Sequence, residues 1–162
     1  MISYGKQTID QEDIDAILTV IKGDWLTQGP LIEIFEDRLS SYFGAKNCCV
    51  VSNGTAALHL TGIALDWGKN DIVITSPITF LATANAIVYS GATPAFVDID
   101  TDTYTINPDK LEHKIKNLLK EGKKVKAVIG IDYAGHPCDW ESLKTIADKY
   151  NLKLINDNCH AM

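Results

Sequence analysis

The chain is 162 residues long, 46% of them hydrophobic, and it carries a formal net charge of −6. That length suffices for one domain with its own core. The acidic balance excludes the basic footprint through which proteins attract nucleic acid or anionic membrane, so small molecules or other proteins are the expected partners.

The opening MISYGKQTIDQED has no apolar core of the signal-peptide kind, and no run approaches the ~20 apolar residues of a membrane span; a cytoplasmic location is expected. Asp10 precedes QEDIDAILTVIKG, where Ile14, Ile17, Leu18 and Ile21 recur at helical spacing, acids fill the first turn and Gly23 follows the last. DWLTQG reads as an irregular link. Pro30 opens a second helical pattern through Ile34, Phe35, Leu39 and Phe43, which Gly44 stops. Residues 1–45 are thus expected to form a helical arm and residues 46–162 the body of the fold.

From residue 48 the pattern becomes an alternation. CCVVS (48–52) reads as a strand and GTAALHLTGIAL (54–65) as a helix with Ala57, Leu58 and Leu65 turned inward. DIVITS (71–76) is the next strand, and FLATANAIVYS (80–90) a helix whose small residues suit close packing on a sheet. PAFVDI (94–99), the charged helix DKLEHKIKNLLKEG introduced by Asn107-Pro108, VKAVIGI (125–131), a helix WESLKTIADKY begun by Asp139, and LKLIN (152–156) complete the series. Five short, nearly continuous apolar strands separated by helices predict a doubly wound α/β fold, a mostly parallel sheet with helices on both faces. A sheet with one wet face would alternate instead.

Ligands of such sheets occupy the crevice at the carboxyl ends of the strands. The turns expected there are Ser52 to Thr55, Ser76 to Phe80, Asp98 to Asp100, Asp132 to His136 and Asp157 to His160. SNGTAAL joins a strand to a helix through glycine, leaving backbone N–H groups and the Thr55 hydroxyl at a helix N-terminus, which suits a phosphate as well as it suits plain capping. It is neither a Walker loop nor a GxGxxG turn. Phe80 at the crevice rim either caps the core or stacks on a planar heterocycle. Asp157, directly after an apolar strand, caps a following helix or pairs with a cationic ring nitrogen, and His160 is either structural or part of the site. His136, Cys138, Cys159 and His160 lack structural zinc spacing, Cys48 and Cys49 complete no CxxC, and there is no GxSxG elbow. No metal and no disulfide framework are expected.

Taken together, LTQGPLIEIFEDRLSSYFGAKNCCVVSNGTAALHL, ITSPITFLATANAIVYSGATPAFVDID and DYAGHPCDWESLKTIADKYNLKLINDNCHA resemble, in order and over nearly the whole chain, the DegT/DnrJ/StrS sugar-nucleotide aminotransferases, pyridoxal-phosphate enzymes of fold type I. YGKQTIDQEDIDAI, SPITFLATAN and DYAG are most similar to the branch that aminates a UDP-linked 4-keto-6-deoxy-N-acetylhexosamine on the route to pseudaminic acid. The resemblance implies the N-terminal part of a three-layer large domain. It implies pyridoxal 5'-phosphate as cofactor, with Gly54, Thr55 and Ala56 at its phosphate, Phe80 on its ring, Asp157 at its ring nitrogen and His160 near its phenolic oxygen. It further implies substrate contacts at Thr27 and Gln28, a nucleotide-sugar substrate with glutamate as amino donor, and a homodimer.

Relatives carry the Schiff-base lysine well downstream of the DxxHA turn. Lys144, Lys149 and Lys153 fall on helix surfaces or at a strand start, so the attachment lysine is expected beyond Met162 and the chain is expected to be an inactive N-terminal piece of a longer enzyme. Two alternatives stand beside this: a non-catalytic folded fragment or binding module, and a sugar dehydratase of the same fold with histidine in place of the lysine.

Overall fold

A computed structural model of the chain describes residues 6–161, which divide into two compact units at Val50/Val51. The first unit holds α1 (Gln11–Lys22) and α2 (Leu31–Phe43). Asp10 caps α1 in a capping box: its carboxylate accepts from the N–H groups of Glu12 and Asp13, and Asp13 accepts from the Asp10 N–H in return. Gly44, at φ 63°, ends α2 in the left-handed conformation open to glycine. The apolar stripes that make these helices amphipathic remain exposed at Ile17, Ile21 and Phe35.

CCVVS (48–52), expected as the first strand, forms none. A strand exists only where a neighbour completes its hydrogen bonds, and here the Val50 N–H donates instead to the Glu36 carboxylate at 2.8 Å.

The second unit is the α/β body. Its elements are α3 (Gly54–Ala64), β1 (Asp71–Thr75), α4 (Leu81–Tyr89), β2 (Thr93–Phe96), α5 (Pro108–Lys120), β3 (Lys124–Ile131), α6 (Trp140–Lys149) and β4 (Lys153–Asp157). The four strands are parallel and ordered β2-β1-β3-β4, with Ile74 opposite Ala95 on one side and Val128 on the other, and Ile131 opposite Asp157. The chain leaves β1 first toward β2 and then returns to β3 on the opposite flank. The order therefore reverses between β1 and β3, and the crevice of an open α/β sheet opens at the carboxyl ends of those two strands.

Period-two alternation sends successive strand residues to opposite faces. Ile72, Ile74 and Val128 pack with Leu111 and Ile115 of α5 and Leu143 of α6, while Val73, Ala127 and Ile129 pack with Ile87 of α4 and Trp67. Both faces are covered, as the continuous apolar strands require. Leu58 of α3 packs on Ala82 and Ala86 of α4, whose small side chains admit the close approach. Ala57, expected on the same inner side, is exposed, because one residue along a helix turns it about 100° away from Leu58.

Candidate functional site

Three turns meet at the carboxyl edge of the sheet. The α3 N-terminus meets the turn after β4, for a Cβ added to Gly54 would lie 3.1 Å from Cys159 Sγ, closer than a methyl sits comfortably. The turn after β3 meets it as well: Ala134 and Gly135 take positive φ, and a Cβ on Gly135 would lie 3.1 Å from the His160 carbonyl oxygen. The turn after β1 joins through a hydrogen bond, described below.

At the α3 N-terminus, Gly54 and Thr55 are exposed and Ala56 is half-buried. The cap is Asn53, whose side-chain oxygen accepts the Ala56 N–H at 2.9 Å and whose carbonyl accepts that of Ala57. Thr55 is therefore not the cap. The N–H groups of Gly54 and Thr55 stand ahead of the first helical hydrogen bonds, in the positive end of the helix dipole.

Phe80, 76% exposed, occupies the N-cap position of α4. It buries itself in no core, which removes the core-capping reading. One turn into α4, Thr83 is fully buried; its hydroxyl donates to Asp157 Oδ2 at 2.8 Å and also lies 2.8 Å from the Thr79 hydroxyl.

Asp157 ends β4 and is 7% exposed. It does not cap a helix: it receives the Thr83 hydroxyl and the Cys159 thiol, both uncharged donors. The hydrogen bond to Asp157, reinforced by burial, pushes the Cys159 thiol up to about 11. On the adjoining strand end Asp132 is buried too; Oδ1 accepts the Cys138 N–H (2.9 Å) and the Trp140 indole N–H (3.1 Å), and Oδ2 accepts the Asn156 amide (3.1 Å). Burial and the charge of Asp132 raise the Cys138 thiol to about 12, and its Sγ donates to the Ile131 carbonyl. Both thiols stay protonated at neutral pH and are poor nucleophiles. His160 is exposed in the final turn and already has an interaction there. Among the described residues no group of three or more histidine, cysteine, aspartate or glutamate side chains could hold a metal ion.

Thr27 and Gln28 lie in the first unit, in the link between α1 and α2. Both are exposed, and Gln28 takes a φ of 54°. Thr83, Asn53, Asp132 and Cys159 are the site residues that the motif reading passed over.

A buried carboxylate held by neutral donors, an exposed helix N-terminus and an exposed aromatic ring, gathered at a topological switch point, define a site for a flat ligand with an anionic end and a cationic end. The chain belongs to the DegT/DnrJ/EryC1/StrS aminotransferase family, whose model matches residues 7–162. Across all 162 residues it is 41% identical to the UDP-4-amino-4,6-dideoxy-N-acetyl-beta-L-altrosamine transaminase of Campylobacter jejuni, and spans 42% of that protein. Among solved structures it is similar to Helicobacter pylori PseC, an aminotransferase involved in the biosynthesis of pseudoaminic acid (TM-score 0.85, 32% identity, 98% of this chain and 42% of that one). It is also similar to NtdA from Bacillus subtilis with bound cofactor PMP (TM-score 0.85, 32% identity, 95% of this chain and 35% of that one). Members of the family have been solved in both PLP and PMP forms.

Proposed function

We propose that this chain is the cofactor-cradling part of a pyridoxal-phosphate-dependent aminotransferase that moves an amino group, with glutamate as donor, onto a keto carbon of a nucleotide-linked sugar for amino-sugar and surface-glycan biosynthesis. The observation that carries the reading is Asp157: a carboxylate almost removed from water, at the strand end beside the switch point, whose donors are neutral. A buried anion is stabilised most by a cation, and a ring N–H⁺ supplies one. The other donors fit the rest of the group: N–H groups and a hydroxyl at Gly54 and Thr55 for the phosphate, with Ala56 behind them, and the Phe80 ring for a flat face.

When bound, pyridoxal phosphate supplies an electron sink for the pair left behind as an amino acid loses its α-proton. Each residue then has a task. Asp157 holds the proton on the ring nitrogen, which keeps the ring electron-poor. Gly54 and Thr55 fix the phosphate, Phe80 sets the tilt of the ring, and His160 stands near the phenolic oxygen. Thr27 and Gln28 are proposed to meet the nucleotide sugar, and a second copy of the chain is proposed to complete a homodimer. The likeness to the Campylobacter transaminase and to Helicobacter PseC supports a substrate of the pseudaminic acid route.

The lysine that attaches the cofactor is proposed to lie outside residues 6–161. Lys144 is tied to Asp148 and Lys149 to Glu112 on the outer helices, Lys110 to Asp98 beyond β2, and Lys153 starts β4 at the end opposite Asp157. Equilibrium dialysis of the purified chain against pyridoxal phosphate, followed by borohydride and peptide mapping, tests the reading. Reversible binding that Thr55→Val weakens, with no single lysine labelled stoichiometrically, is expected. Absence of binding, or one lysine of residues 6–161 fully labelled, contradicts it.

A further inference from the structure

We propose that Thr83, with Thr79 behind it, is the positioning residue for Asp157, and that this hydroxyl pair sets the acid at the ring nitrogen relative to the turn that carries Phe80. The inference rests on the cofactor reading above and extends it to residues the family motifs do not single out.

Helical threonines in this chain ordinarily turn their hydroxyls inward along their own helix. Thr19 donates to the Asp15 carbonyl at 2.8 Å, Thr61 to Ala57 and Thr145 to Glu141 at 2.9 Å. Such back-bonding to the residue four earlier is the usual outlet for a buried-side hydroxyl. Thr83 departs from it. Its hydroxyl leaves the helix and reaches Asp157, 74 residues on in sequence. Thr83 is fully buried, so no bulk water competes for either atom.

The direction of the hydrogen bonds follows from the donors available. A carboxylate can only accept, so the single Thr83 proton goes to Asp157. The 2.8 Å contact between Thr83 and Thr79 must then be made with the Thr79 proton. The pair points one way, from Thr79 through Thr83 to Oδ2. The branched Cβ of Thr83 restricts its rotamer, so the hydroxyl direction is preset by the helix and not chosen on binding.

The same turn is tied to Phe80, whose carbonyl accepts the Thr83 N–H at 3.2 Å. One short segment therefore holds the aromatic ring at its start and the acid's partner three residues later. The two groups expected to grip the cofactor, one at its face and one at its nitrogen, are locked to a common support. Pre-organisation of this kind strengthens binding by removing freedom the ligand would otherwise have to freeze.

The test uses the chain itself and pyridoxamine phosphate as probe, with affinity measured for wild type, Thr83→Val, Thr83→Ser, Thr79→Val, Asp157→Asn and the Thr83→Val/Asp157→Asn double variant. Far-UV circular dichroism accompanies each. Losing a hydrogen bond to a charged group is expected to weaken binding about tenfold in Thr83→Val. Thr83→Ser should restore it to within about twofold, and Thr79→Val, further from the carboxylate, should cost about threefold. In the Asp157→Asn background Thr83→Val should cost nothing more, because the two act as one unit. If Thr83→Val does not fold, the Ser and Thr79 variants carry the comparison. Full affinity in Thr83→Val or Thr79→Val, with Asp157→Asn weakened, overturns the positioning role and leaves the cofactor reading standing. No binding by wild type, or binding that Asp157→Asn leaves untouched, overturns the cofactor reading and this inference together.

Discussion

Each end of the sheet buries carboxylates, and the two ends hold them differently. At the amino end of β1, Asp71 is 3% exposed and meets Lys124 Nζ at 2.7 Å, Lys126 at 3.8 Å and the Gly68 N–H. Burial works against its charge, but these partners outweigh it and hold the carboxyl below its usual range. At the carboxyl end, the donors on Asp132 and Asp157 are backbone N–H, indole, amide, hydroxyl and thiol groups. A lysine neutralises the charge it meets; dipoles only orient it. The amino end therefore closes its electrostatics within the fold, while the carboxyl end keeps an anion facing a crevice, which is how a cation-binding site is left open.

The comparison can be broken by removing its members in turn. The largest effect is expected from Asp132→Ala, which strands three donors at once, the Cys138 N–H in the buried interior. Urea unfolding should show a loss of about 3 kcal/mol, whereas a loss below about 1 kcal/mol would mean that solvent replaces the carboxylate freely.

At the opposite end, Lys124→Met should cost about 1–2 kcal/mol, less than a wholly buried pair because Lys124 is 65% exposed and Lys126 remains. The pH dependence has a defined sign. Asp71 has a lowered folded pKa, so its contribution is present above the usual carboxylate pKa and disappears as pH falls through the folded value. Asp71→Asn should flatten stability against pH in that acid range, and an unchanged slope would exclude the ion pair as its source.

Glu112 gives the smallest effect. Hydrogen bonds from Lys149, Lys116 and Tyr150 lower it to about 2. Glu112→Gln should melt slightly below wild type at neutral pH, and the difference should vanish as pH falls from the ordinary glutamate value toward 2. A gap that persists at pH 2 would point to lost packing between α5 and α6.

Much of this was readable from residue pattern. The four paired strands announce themselves as continuous apolar runs, and their order of appearance with intervening helices requires a parallel sheet covered on both faces. CCVVS misled because apolar character signals burial and not pairing, and a strand is completed only by its neighbour. Asp157 was legible, since an acid directly after an apolar strand has few innocent explanations. Thr83 was not, because its partner is distant in sequence and helical threonines commonly satisfy themselves locally. Asn53 was hidden behind the more familiar Gly-Thr pair that follows it. Asp132 looked like one more turn aspartate, for nothing local tells that an indole and an amide from other elements converge on it.

The most direct test of the account compares Asp157→Asn with wild type in two measurements on the same samples, pyridoxamine phosphate affinity and thermal stability. If the carboxyl-end charge is kept for a ligand, affinity should fall at least about tenfold, while stability changes by less than about 1 kcal/mol, since an amide oxygen still accepts the Thr83 hydroxyl. Unchanged affinity, or a stability loss as large as that of Asp132→Ala, would show that Asp157 serves the fold and not a cofactor.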